Sequence, residues 1–405
     1  MFNLFLKKYD NTFYLLLFLP ISFLIGSLFS NITAVLLSII YLIYIIRNNK
    51  IRIIKEKQHL FLFLLFAIFI LSSINSNYKL EGLENSFSYL SNIFLFLGMS
   101  LYFLNEKNKI QLLSKIVTII LIFLCLDCWL QFLLGENIFG YERQQAGRLT
   151  SVFKSEQIPG SVIFHLSPFL LYFLYSTKNF YLKKFKFLIL IFVYFSIIIT
   201  GERNSSIISS ILIFLIVILN FKKTYFKQLL VYFFLIIISF SVLYFKKDSN
   251  LKDRINYTIY QITKDNIYFG MYGNALSIFS KNKIFGTGPQ TFRYECYKLA
   301  KYPGKAKVKE IGEYCSSHPH NYYFELLSDA GFFAPFIFFI GLLSLVLNKI
   351  KKISNKLINS LIIIYPLLFF FPFLPSGSFF SSLHMTISWF SIGFLFSIKD
   401  FSLSK

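Results

Sequence analysis

The chain has 405 residues, of which 56% are hydrophobic and 15% charged. That is more apolar surface than a soluble fold of this length can cover, so composition excludes a soluble protein and points to an all-α polytopic membrane protein. The formal net charge of +22 invites a nucleic-acid partner, but most of the basic excess lies in short loops between apolar runs, where the positive-inside rule accounts for it and no nucleic acid is needed.

Taken in chain order, about 12 apolar segments are expected to be transmembrane helices: 12–29, 32–46, 59–74, 87–104, 116–134, 159–175, 187–200, 205–219, 229–245, 332–347, 357–374 and 383–398. Several are shorter than the roughly 20 residues that cross the hydrocarbon, so their helices should extend into flanking polar residues. Met1 to Asp10 carries Lys7 and Lys8, but no small-residue cleavage site follows, so no cleavable signal peptide is expected. One alternating set of loops, 47–57, 107–109, 178–186, 221–227 and 349–356, is short and rich in Lys and Arg. These should be cytoplasmic, which places both termini inside and the opposite loops outside. The organisation expected is spans one to nine over 1–245, a long outer loop with amphipathic helices over 246–331, and the last three spans over 332–405. Long loops translocate largely regardless of charge, so the lysines of 246–331 do not reverse this sidedness.

The polar chemistry then gathers on the outer side. After the fifth span, YERQQAGRLTSVF (141–153) sets Arg143 and Arg148 just above the membrane, beside Gly147. Between the seventh and eighth spans, ITGERNSS (199–206) carries Glu202 and Arg203. A charge at that depth is costly unless paired or facing a wet cavity, so Arg203 and Arg148 are candidate anion-binding groups. A Glu202–Arg203 ion pair, or contact with lipid headgroup phosphate, are the plain alternatives. In the long loop an amphipathic stretch ends in Gly286-Thr287-Gly288-Pro289, flanked at a distance by Arg254 and Arg293. No strand precedes that GxG, so it reads as a tight turn after a surface helix and not as a nucleotide loop.

The loop closes with CSSHPHNYYFELLSDAG, Cys315 to Gly331, which holds two of the five histidines. Pro319 favours extended backbone at His318. Side chains alternate in extended chain, so the imidazoles of His318 and His320 are expected to point apart and not to share a metal. Asn321 has the character of an N-cap, with a helix running from Tyr322 to Ala330 and ending at Gly331. The helix dipole would then hold His320 as a neutral imidazole, suited to take a proton from a hydroxyl; the plain alternative is a histidine that only shapes the turn. Cys296 and Cys315 share the outer loop, where a disulfide would stiffen the approach to His320. Cys125 and Cys128 lie inside an apolar span and read as small buried residues. His59, His165 and His384 lie in or at the ends of spans, with packing or interfacial roles expected.

TGER (200–203), GTGP (286–289) and HNYYFELLSDAG (320–331) together resemble the O-antigen ligase and polymerase superfamily, most of all its ligase branch. The number of spans and the place of the long loop agree. The resemblance implies an inner-membrane glycosyltransferase that takes glycan from an undecaprenyl-diphosphate donor at the periplasmic face. The ligases pass it to a sugar hydroxyl of lipid A–core, with inversion and without a metal or other cofactor. It implies His320 as the catalytic base candidate and Arg203 as a diphosphate ligand. Arg148, from its place above the membrane, is a second diphosphate candidate, and His318, Asn321 and Glu325 are candidates to support the histidine turn. A further arginine is called for earlier in the outer loop, where 266–272 supplies none. Arg254 and Arg293 are the candidates for that place.

Two other readings compete. An O-antigen polymerase would use a similar donor, with a second lipid-linked repeat as acceptor. A transporter or flippase should show paired halves and charged or broken helices near the midplane; here the polar residues gather at one face, as an enzyme site requires.

Overall fold

A computed structural model describes residues 10–50, 56–144, 147–219, 267–299 and 315–399, with the single positions 234 and 256. The apolar run 229–245 and Arg254 therefore lie outside the described residues, Phe234 apart. Among the described residues there is no strand, and one isolated bridge pairs Glu136 with Glu142.

The helices are α1 (Asn11–Ile25), α2 (Ser27–Arg47), α3 (Lys57–Asn75), α4 (Lys79–Gly98, continued by a π turn Met99–Phe103) and α5 (Lys107–Leu134). Then come α6 (Pro159–Ser176), α7 (Phe180–Ile199) and α8 (Arg203–Leu219). In the outer loop lie α9 (Ile267–Lys281), α10 (Phe292–Leu299) and α11 (Tyr322–Ala330), followed by α12 (Phe333–Ile350), α13 (Lys356–Phe369) and α14 (Ser382–Ser397). Among the described residues, five helices are long and apolar enough to cross a membrane: Ser27–Arg47, Gln58–Asn75, Lys79–Phe103, Lys107–Leu134 and Phe333–Ile350.

Local chemistry sets the ends. Asp10, Asn179 and Asn355 cap α1, α7 and α13 by accepting the amides of Phe13 (2.8 Å), Leu182 (3.1 Å) and Ile358 (3.1 Å), donors that a helix start leaves without a partner. Pro159 opens α6 at its first turn, where a missing N–H costs nothing. The first expected span, 12–29, is corrected: its helix stops at Ile25, because Gly26 adopts φ +146°, and a new helix begins at Ser27. The span expected at 87–104 starts eight residues earlier than its apolar run, taking in the polar turn from Lys79.

α14 is the centre of the bundle. Every residue from Met385 to Ser397 is buried, and the helix packs on α2, α4, α6 and α13. A helix apolar all round belongs inside a bundle. Phe169 stacks on Phe394 (3.9 Å) and Phe390 (4.9 Å), and Phe96 meets Trp389 edge-on at 5.4 Å. α12 reaches α3 through Gly341, where any Cβ would lie 2.1 Å from the Phe61 ring, the small-residue contact common between membrane helices.

The two ends of the bundle differ chemically. At one, Lys109 pairs with Asp10 (2.8 Å) and Lys349 caps α14 by donating to the carbonyls of Phe396 (2.5 Å) and Ile398 (2.8 Å). At the other end lie the turns after α3, α5, α7 and α13 and the described part of the long loop, joined by contacts such as Leu149 N–H to Thr200 O (3.1 Å) and Ser72 Oγ to Asp329 O (2.6 Å).

Candidate active site

The arginine side of the site is built from buried polar residues in α5. Gln131 Oε1 accepts the amides of Thr150 (3.0 Å) and Ser151 (2.9 Å), while its Nε2 donates to Tyr141 O (2.9 Å). One turn earlier, Asp127 accepts Ser151 Oγ–H (2.5 Å) and the Ile138 amide (3.0 Å). These two side chains fold 135–153 back over the end of α5. Neither was singled out from sequence, although a carboxylate and an amide at i and i+4 inside an apolar helix are the signal that would have found them. Arg143 completes the cap: its Nε donates to Gln131 O at 2.8 Å and its Nη2 to Phe132 O. It is occupied in closing a helix.

The same fold lays Arg148 across the TGER turn. Leu149 bonds to Thr200, and a Cβ on Gly201 would lie 3.5 Å from Arg148 Cγ. Arg148 Nη2 donates to Gln157 O (2.7 Å), while its Nε is buried without a partner. Glu202 does not pair with Arg203. Its carboxylate turns the other way and accepts the amides of Gly160 (2.6 Å) and Ser161 (3.0 Å) and the hydroxyl of Ser205 (3.1 Å). It thus caps the N-terminus of α6, where the helix dipole favours an anion. Burial nevertheless pushes the Glu202 carboxyl up to about 7, against the opposing charge of Arg148.

The consequence is an electrostatic imbalance. Arg148 and Arg203 lie within each other's field, and among the described residues neither they nor Arg293 has a carboxylate within ion-pair distance. With the Glu202 carboxylate committed to the α6 amides, the two guanidiniums are left without an ion-pair partner among the described residues.

The histidine side rests on the long loop. Thr287 and Gly288 donate their amides to the carbonyls of Ser328 (3.1 Å) and Asp329 (2.8 Å), and Phe332 donates to Lys283 O (2.9 Å). The contact is backbone on backbone. A Cβ on Gly286 would lie 2.4 Å from the Asp329 carbonyl carbon, and one on Gly331 would lie 2.1 Å from Ile284 O. GTGP is thus a tight turn after α9 that clamps the far end of α11. Cys296 and Cys315 are joined by a disulfide, Cα to Cα 5.6 Å, which ties α10 to the segment entering the histidine turn.

Asn321 caps α11 with Oδ1, which accepts the amides of Tyr323 (2.9 Å) and Phe324 (3.2 Å). Its Nδ2 donates to Pro372 O (2.7 Å), pinning the loop after α13. That loop returns the grip, with the Ser376 amide donating to His320 O at 2.8 Å. Glu325 is wholly buried and accepts from Ser378 Oγ (2.6 Å) and the Phe379 amide (2.6 Å). It therefore holds the same loop from below.

The expected divergence of the two imidazoles is corrected. His320 sits at φ +53°, which ends the extended alternation, and the rings of His318 and His320 lie 4.1 Å apart at 55°. The geometric objection to shared metal ligation falls, although no group of three His, Cys, Asp or Glu side chains suited to a metal occurs among the described residues. His320 is held below the ordinary imidazole range, and the main cause is burial, opposed by the backbone bond with Ser376. Burial, with His320 next to it, brings His318 down to about 3.

The two sides meet at Tyr268 in α9. Its ring stands edge-on to His320, 6.1 Å centroid to centroid, and its phenol is within the field of Arg148. Arg293, at the start of α10, lies near His318 and Glu325. The structure therefore brings Arg148 and Arg203 to one side and Arg293 with the histidine pair to the other. Arg254 lies outside the described residues.

No curated protein matches the chain. Residues 187–339, a stretch that begins in α7 and takes in Arg203, the GTGP turn and His320, match the family model described as O-antigen ligase, the superfamily to which the chain's motifs point.

Proposed function

We propose that the protein is a membrane glycosyltransferase of the ligase type, which moves a glycan from an undecaprenyl-diphosphate donor to a sugar hydroxyl of lipid A–core at the periplasmic face. The observation that carries this reading is the pair of guanidiniums, Arg148 and Arg203, with no ion-paired carboxylate among the described residues, across Tyr268 from a partly buried imidazole. In the step proposed, the acceptor hydroxyl gives its proton to neutral His320 as its oxygen attacks the anomeric carbon. The bond from that carbon to the phosphate oxygen breaks from the opposite face, so the configuration inverts. Undecaprenyl diphosphate leaves with the bonding pair, and the guanidiniums meet its charge in place of a metal. His320 then returns its proton to solvent.

The test is transfer by the purified full-length protein in liposomes, given a lipid-linked glycan donor and lipid A–core. Glycan appearing on lipid A–core supports the ligase. A lengthened lipid-linked product without that transfer would make the protein a polymerase, and no glycosidic product with either acceptor would overturn the transferase reading.

A further inference from the structure

Behind the site lies a histidine outside the matched stretch. His384, at the start of α14, places Nε2 2.8 Å from the hydroxyl of Tyr322, the first residue of α11 and the second after His320. On its other edge, Nδ1 lies 3.4 Å from Ser161 Oγ, the weaker of the two bonds. The backbone amide of that same Ser161 donates to Glu202, the residue beside Arg203. A third contact is steric: a Cβ on Gly377 would come within 3.3 Å of the His384 ring, and Gly377 follows Ser376, whose amide holds the His320 carbonyl. One imidazole therefore touches the helix that carries the histidine turn, the loop that grips that turn, and the helix end that fixes the arginine turn.

Its surroundings do not call for a polar residue on packing grounds alone. The ring lies among Phe369 at 5.4 Å, Tyr322 and His165, the last at 5.1 Å and itself bonded to Tyr365 OH at 2.6 Å. An apolar ring would fill such a space. An imidazole with one nitrogen on each side can join two polar groups that face opposite ways, whichever nitrogen carries the proton.

We infer that His384 is a positioning residue: through Tyr322 on one side and Ser161 on the other, it sets the distance between the base at His320 and the diphosphate site at Arg203. The inference rests on the transferase reading for its kinetic consequence, though not for its structural one. In-line displacement is steep in distance, and a misplacement of about 1 Å can cost roughly 100-fold in rate.

The experiment compares Tyr322→Phe, His384→Leu, His384→Gln and the double variant Tyr322→Phe/His384→Leu in the full-length protein, with kcat taken per folded molecule from thermal unfolding. Tyr322→Phe removes one hydroxyl and keeps the ring, so it guards against a simple failure to fold. Each of the two apolar changes is expected to lower kcat about 10- to 100-fold with little change in the donor KM. The double variant should be no slower than the worse single one, because both remove the same link. His384→Gln, which can still bond to both hydroxyls, should recover much of the rate. Losses that multiply, or a Tyr322→Phe enzyme with full kcat, would overturn the inference. Hydrogen exchange gives a readout that needs no activity. Tyr322→Phe should speed exchange at both 318–324 and 158–163, and unchanged exchange at 158–163 would overturn the link even if transfer itself were never detected.

Discussion

At the scale of the residue, two titrating groups separate the two sides of the site. As the proposed base His320 has to be neutral, and burial holds it below its ordinary 6.5. The neutral form therefore persists as pH falls through 6.5, and transfer should stay flat there, declining only at more acid pH. A pH–rate profile with its acid limb centred above 6.5 would contradict this. His320→Ala should lower kcat by roughly 100- to 10,000-fold at unchanged protein level, the usual worth of a positioned base. Arg203→Lys tests the other side: it keeps the charge but loses the fork that matches phosphate, so a loss of at least about 10-fold in kcat/KM is expected. Glu202 titrates with the opposite consequence for stability. Its folded value is raised from 4.5 to about 7, so between those values the unfolded chain binds fewer protons than the folded one. Stability should then fall as pH rises across that window, by up to about 3 kcal/mol once both states are ionised. Thermal unfolding of the wild type between pH 4.5 and 8 should show the decline, and Glu202→Gln should flatten it. A wild-type midpoint that rises with pH would show that the carboxyl is not raised.

At the scale of the element, the docking of the GTGP turn on α11 depends on two glycines that meet backbone directly. Gly331 has φ +81° as well as a Cβ position 2.1 Å from Ile284 O, so Gly331→Ala is strained in its own conformation and in space. It should destabilise by more than the ~1 kcal/mol of an ordinary glycine change and abolish transfer with His320 intact, read by thermal midpoint and activity together. A midpoint within a degree of wild type would mean that the clamp does not hold α11. The cap at Asn321 and the stop at Gly331 were legible in the sequence, because both are local: an amide that accepts from residues two and three along, and a residue that tolerates positive φ. The orientation of His318 and His320 was not. Alternation holds only while the backbone stays extended, and His320 leaves that region at a position whose carbonyl accepts from Ser376, 56 residues away in sequence. His384 was hidden for the same reason. Its partner Tyr322 is 62 residues distant, and nothing in the local pattern of α14 marks one polar face. Asp127 and Gln131 could have been read, since polar groups inside an apolar helix are rare enough to need a cause.

At the scale of the whole molecule, the alternation of basic and neutral loops and the clustering of the site at one end are one arrangement. The lysine-rich stretches 178–186 and 349–356 lie where α6 passes into α7 and α12 into α13, the latter at the end where Lys349 caps α14. Arg148, Arg203 and His320 all lie at turns of the opposite end. A lipid-linked donor has its polyprenyl chain in the bilayer and its diphosphate at the surface, so such a substrate requires cationic groups gathered at a single face. A carrier with a midplane site would place them deeper. Lys352 and Glu142 are both exposed, one at each end, and Cys125 and Cys128 are buried while Cys296 and Cys315 are bonded to each other. A cysteine placed at either exposed position is therefore readable against a quiet background. With a membrane-impermeant maleimide, Glu142→Cys should label in intact spheroplasts and Lys352→Cys only after permeabilisation, as the positive-inside rule requires. The reverse pattern would put the arginines and His320 on the cytoplasmic side, where a donor presented at the periplasmic face cannot reach them, and the ligase reading would fall with the topology.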